Sequence, residues 1–190
     1  MVMPNLSLYT TSAFIILDTD GNRVLAKYYN NKNSTIVQDA GSKSLTTLKD
    51  QRAYEKALWE KTKKAGGDII LYDSYLVVYR HSLDLIFYLL GPPSENELML
   101  NAALVAYFDA LSILLKNQVE KRSVLDNLDV VLLCLDETID DGIIVETDST
   151  AIASRLSSRP GTGGQEIVID EQTIRNAYDT IKSRVAKGLF

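Results

Sequence analysis

The chain has one cysteine and one histidine in 190 residues. A lone cysteine excludes an internal disulfide and a cysteine cluster for zinc, and it suits a reducing cytosol. A lone histidine leaves a single imidazole to serve any catalytic triad. A basic excess is missing as well. With 20 Lys and Arg against 25 Asp and Glu the net charge is −5, which argues against nucleic acid as the main ligand, because phosphate contacts need concentrated cations. Long hydrophobic runs are absent too: Leu85–Leu90 and Val130–Leu135 fall well short of the ~20 residues of a membrane span. The opening MVMPNLSLYT has neither the basic nor the apolar region of a secretory leader. There are no internal repeats. These absences predict a cytosolic protein that reaches membranes only through something else.

What is present suits one domain. Hydrophobic residues make up 46% and charged residues 24%, an ordinary globular balance, and a chain of this length buries roughly 70% of its unfolded surface. Charge is unevenly spread. Val124 to Asp148 carries Asp126, Asp129, Asp136, Glu137, Asp140, Asp141, Glu146 and Asp148 with no Lys or Arg, whereas Lys43 to Lys64 is rich in lysine. Such blocks are solvated faces, or a polarised surface that orients the molecule against a large partner.

YTTSAFIIL (9–17) and RVLAKYY (23–29) are rich in β-branched and aromatic residues. Between them DTDGN supplies a turn, so the pair predicts a β-hairpin. Residues 30–44 predict a polar loop. From Thr47, apolar residues at helical spacing predict a helix ending at Gly66 and Gly67. Three short strands follow at 68–73, 75–80 and 83–90, with Arg80, His81 and Ser82 as the turn between the last two. Ser94 with Glu97 predicts a capping box for a long helix apolar almost all round, hence largely buried. In SVLDNLDVVLLCLDETID (123–140), apolar residues recur every three or four positions, which predicts one helix. A short helix capped at Asp148 or Ser149 covers Thr150–Leu156. Residues 157–165 read as a flexible linker. Residues 166–190 predict an amphipathic helix with Ile174, Ala177, Tyr178, Ile181 and Val185 on one side.

The order β-β-α-β-β-β-α-α plus C-terminal helices predicts an α+β fold. The strand at 83–90 is apolar on both faces, so it belongs at the centre of a sheet covered on both sides. The expectation is an α-β-α sandwich built on a five-stranded antiparallel sheet, spanning residues 1–156.

No catalytic, cofactor-binding or metal-binding set emerges. His81, Ser82 and Asp84 are local neighbours, whereas a triad is assembled from distant segments. Cys134 lies on an apolar helix stretch with no basic neighbour to lower its pKa. DTDGN opens like a calcium loop but lacks the remaining ligands and the closing glutamate. GTGGQ (161–165) has no lysine–serine/threonine sequel and no preceding strand, so it is no phosphate loop.

The element order resembles the longin fold of vesicle-coat adaptor chains. Val77, Val78, Tyr79 and Arg80, followed after four residues by Leu85, Ile86 and Phe87, resemble the signature of the adaptor small-chain family. Ile86 departs from it, standing where that signature has tyrosine. AFIILDTDGNRVLAKYY, ENELML and DDGIIVETD resemble the zeta-chain family of coatomer, the COPI coat, across roughly residues 9–156. The resemblance implies a non-enzymatic coat component that pairs with the gamma subunit trunk and, through it, meets the beta, delta, alpha, beta-prime and epsilon subunits. It implies recruitment by an Arf-family GTPase acting indirectly, at the cytosolic face of Golgi membranes and COPI vesicles, for retrograde transport. Membrane contact is then made only as part of the coat. A clathrin-type adaptor small chain and a longin-domain GTPase regulator are the alternatives.

Overall fold

A hairpin and a three-stranded meander, brought edge to edge by the helix between them, make the sheet. In the computed structural model, which describes residues 8–29, 45–64 and 68–157, β1 (Ala13–Asp18) and β2 (Arg23–Tyr28) pair antiparallel around the DTDGN turn. Helix α1 (Leu48–Thr62) follows, and then β3 (Ile69–Tyr72), β4 (Tyr75–His81) and β5 (Leu85–Gly91). The sheet order is β2-β1-β5-β4-β3, and every neighbouring pair is antiparallel. The expected α+β sandwich is therefore observed. β5 is its middle strand, and every residue of β1 and β5 is buried. A strand sealed on both faces has no use for alternating polarity, which explains the unbroken LIFYLLG.

Each sheet face has its own core. Ala13, Ile15, Leu17, Val77, Tyr79, Ile86, Tyr88 and Leu90 pack under α1 through Tyr54 and Leu58. Phe14, Ile16, Val78, Leu85, Phe87 and Leu89 pack under α2 (Glu97–Leu114), α4 (Leu128–Thr138) and α5 (Ser149–Ser157). The period-2 alternation of the strands thus divides one apolar run between two layers. Two glycines are fixed by close approach. Gly21 has φ +81°, and a Cβ there would meet the Trp59 ring at 2.7 Å; one on Gly91 would meet Leu100 Cδ1 at 2.7 Å and the Thr10 carbonyl at 2.8 Å.

Several boundaries differ from the sequence reading. The β4–β5 turn is not Arg80-His81-Ser82. Strand pairing continues through Arg80↔Phe87 and His81↔Ile86, because Arg80 packs over the Phe108 ring at 4.1 Å and stays in the ladder. The turn is therefore 82–84, and Leu83, expected on a strand face, is 81% exposed at its tip. The capping box at Ser94 and Glu97 is not formed. Asn96 caps α2, its side chain accepting from the Leu98 N–H at 2.9 Å, while residues 92–95 close a turn first. Leu98, at 69% exposure, and Ile113, at 52%, leave one side of α2 open, so this helix is not apolar-covered all round.

The single helix expected at 123–140 is two, α3 (Lys121–Asp126) and α4. Asn127 breaks it at φ −124°, ψ 40°, its side-chain amide donating to the Ser123 carbonyl at 2.8 Å, a local bond that competes with the helical ladder. A two-residue hairpin, β6 (Ile139–Asp140) and β7 (Ile143–Ile144), then turns at Gly142. The cap at Asp148 is as expected, its carboxylate accepting from the Thr150 and Ala151 N–H groups. The loop at 30–44, the stop at Gly66 and Gly67, nearly all of the linker 157–165 and the tail 166–190 lie outside the described residues.

Candidate partner interface

The signature residues sit together as one cross-strand block at the middle of the sheet. Val78 opposes Leu89 and Arg80 opposes Phe87 beneath α2, while Val77 opposes Leu90 and Tyr79 opposes Tyr88 beneath α1. On the α2 side Phe87 meets Phe108 edge-on at 5.4 Å, and Phe14 meets Tyr107 at 4.7 Å. The Arg80 guanidinium completes this stack, lying over Phe108 and 3.7 Å from Asp109. On the α1 side Tyr79 and Tyr88 stack at 5.9 Å, and the Tyr88 hydroxyl bonds Thr62 Oγ1 at 2.7 Å. Leu85 is fully buried and Ile86 is 3% exposed under α1. These side chains join sheet to both helical layers and offer no reacting group.

The polar triplet in the same hairpin is spent on anchoring. Ser82 Oγ donates to the Val119 carbonyl at 2.9 Å, and the Asp84 carboxylate accepts from the Lys121 N–H at 2.9 and 3.2 Å. His81 points to solvent, with Tyr79 beside it at 5.8 Å. The structure thus holds serine, histidine and aspartate near each other without joining them. Cys134 is fully buried, and burial pushes its thiol up to about 12, the wrong direction for a nucleophile. Among the described residues no group of three His, Cys, Asp or Glu is placed to hold a metal ion.

DTDGN closes on itself. Burial would raise the Asp18 pKa, but hydrogen bonds from Lys121 Nζ, from the Asn22 backbone and side chain, and from the Asp20 N–H outweigh it and hold the carboxyl at about 2. With its oxygens occupied, Asp18 serves as a turn organiser. It also ties the first hairpin to α3 through Lys121. A second buried carboxylate escaped the sequence reading. Glu55, on the inner face of α1, is 3% exposed and accepts two bonds from Arg23, at 2.6 and 2.8 Å, and one from the Tyr28 hydroxyl at 2.7 Å. The linear sequence carries no signal for that triad, because Glu55 is 32 residues from Arg23 and 27 from Tyr28 and lies among exposed charges.

The charged surface is divided as well. α1 presents exposed Lys49, Arg52 and Lys56 on one helical layer. α4, in the opposite layer, presents exposed Asp129 and Asp136 beside exposed Leu128 and Leu132. The charge blocks noted in the sequence therefore lie on opposite sides of the sandwich, the arrangement that orients a subunit between different neighbours.

Residues 10–161 match the clathrin adaptor complex small chain family. The chain is 37% identical to human coatomer subunit zeta-1 over 97% of its length and 95% of that protein. It is 38% identical to the coatomer zeta subunit of Saccharomyces cerevisiae over 98% of each. A rice coatomer zeta-1 chain is 37% identical over 93% of this chain and 94% of its own. By structure, it is similar to a chain in a homology model of the full-length AP-3 complex in a stretched open conformation. The TM-score is 0.56 at 14% identity, over 92% of this chain and 98% of that one, a likeness of fold. The chain belongs to the clathrin adaptor complex small-chain family and, within it, to the coatomer zeta chains.

Proposed function

We propose that this chain is a non-enzymatic subunit of the COPI vesicle coat that binds and stabilises the trunk of the coatomer gamma subunit. The observation that carries this reading is the end-to-end likeness to zeta chains of an animal, a yeast and a plant. The geometry agrees with it. Two cores on one five-stranded sheet give a rigid body, and the buried carboxylates of Asp18 and Glu55 tie separate elements together. A rigid body of this kind suits a wedge against a helical solenoid.

Through gamma the chain joins the beta, delta, alpha, beta-prime and epsilon subunits. An Arf-family GTPase recruits the assembly from cytoplasm to the cytosolic face of Golgi membranes, where it serves retrograde transport between and from Golgi cisternae. Co-expression with the gamma trunk tests this. The expected result is a one-to-one complex that stays together through gel filtration in moderate salt, with gamma insoluble when expressed alone. Failure to bind gamma, with retention by a clathrin-adaptor large chain instead, overturns it.

A further inference from the structure

The outward face of α4 sets exposed leucines beside exposed acids. Leu128 and Leu132 stand one turn apart at 36% and 40% exposure, and Leu125, just before the Asn127 break, is 48% exposed. Single surface leucines need no explanation, but two a helical turn apart on one face form a patch that water covers at a cost. Asp129 and Asp136 flank the patch, both exposed, and Asp136 already holds Lys27 at 2.5 Å. A ligand for this face must therefore bring apolar residues at helical spacing with cations beside them.

The chain's own tail carries residues of that kind. In residues 174–185, IRNAYDTIKSRV, Ile174, Tyr178 and Ile181 fall on one side of a helix, with Arg175 and Lys182 next to them. Arg175 and Lys182 are seven residues apart, as are Asp129 and Asp136, so each pair spans roughly 10.5 Å on a helix. The four-residue step from Ile174 to Tyr178 equals that from Leu128 to Leu132. The tether also reaches. Arg155 lies 3.7 Å from Glu137, which places the end of α5 beside the end of α4. Residues 157–174 can extend roughly 56 Å at ~3.3 Å per residue, several times the ~17 Å length of α4. A tether of that length gives an effective concentration near the millimolar range.

We infer that residues 174–185 dock as an amphipathic helix on the outward face of α4, covering Leu128 and Leu132, with Arg175 and Lys182 set against Asp129 and Asp136. The segment shields the leucines of the free subunit, and a coat partner using that face must displace it.

Hydrogen exchange of the full chain, followed by mass spectrometry, tests this. Peptides covering 174–185 should exchange about tenfold more slowly in the wild type than in Leu128→Asp/Leu132→Asp, with β5 equally protected in both as the control for folding. The tail variant Ile174→Asp/Ile181→Asp, which leaves every described residue unchanged, should abolish the same protection. Asp129→Lys/Asp136→Lys should weaken it, and adding Arg175→Asp/Lys182→Asp should restore it. Wild-type peptides exchanging at the unfolded rate would overturn the inference. So would protection indifferent to these substitutions, protection that grows with protein concentration, or protection that appears only when the gamma trunk is added.

Discussion

Asp18 and Glu55 are two buried carboxylates held by different partners. Asp18 is held at about 2 against an ordinary value of 3.8. Because its pKa is depressed by folding, its contribution is complete above about pH 4 and is lost as pH falls toward about 2. Urea midpoints measured across that window should fall steeply in the wild type. In Asp18→Asn they should start lower at neutral pH and fall less between those values; an unchanged acid limb would remove Asp18 from the account. Glu55→Ala strands Arg23 and the Tyr28 hydroxyl beneath α1. Arg23 retains some solvent, so the expected loss is about 2–3 kcal/mol, below the full cost of breaking a buried pair, read as a drop in the urea midpoint. Cys134 gives a simple reactivity test: with its thiol pushed up to about 12 and fully buried, it should resist thiol reagents at pH 8 until the protein is unfolded.

At the scale of elements, the β4–β5 hairpin carries the family signature and both cores together. Phe87→Ala removes a ring that meets Phe108 and Tyr107, and should cost about 3–5 kcal/mol in denaturant unfolding. Ile86, the position that departs from the signature, is 3% exposed beneath α1 and opposes His81 and Leu17. Ile86→Tyr must find room for a ring in a filled layer, and a loss of about 1–3 kcal/mol is expected; a gain in stability would mean that the layer holds space for the tyrosine hydroxyl. The same hairpin shows what a sequence makes legible. LIFYLLG announces a central strand because sealing both faces leaves no polar alternation to read. The turn was misplaced by two residues because Arg80 and His81 look like turn residues until Phe108 and Asp109, 28 and 29 positions after Arg80 in the chain, are known to hold the arginine. Asn127 is likewise invisible as a helix break: a 3.6-residue apolar period runs across it, and the break lies in its backbone angles, φ −124° and ψ 40°, with its side chain bonded to the Ser123 carbonyl. The Arg23–Glu55–Tyr28 cluster depends wholly on tertiary approach. Local periodicity specifies elements and layers, while polar contacts between distant segments set the ends and the buried charges.

At the scale of the whole molecule, the sandwich separates a basic helical layer from an acidic one, and the buried carboxylates Asp18 and Glu55 tie elements together. That division fits a body held between partners better than one that acts alone. The decisive measurement is therefore stoichiometric: capture of the tagged chain from cytosol in moderate salt, followed by quantitative mass spectrometry. Gamma and the remaining coatomer subunits are expected in amounts equal to the chain itself. Recovery of clathrin-adaptor large chains in their place, or of the chain without any large solenoid subunit, would contradict it.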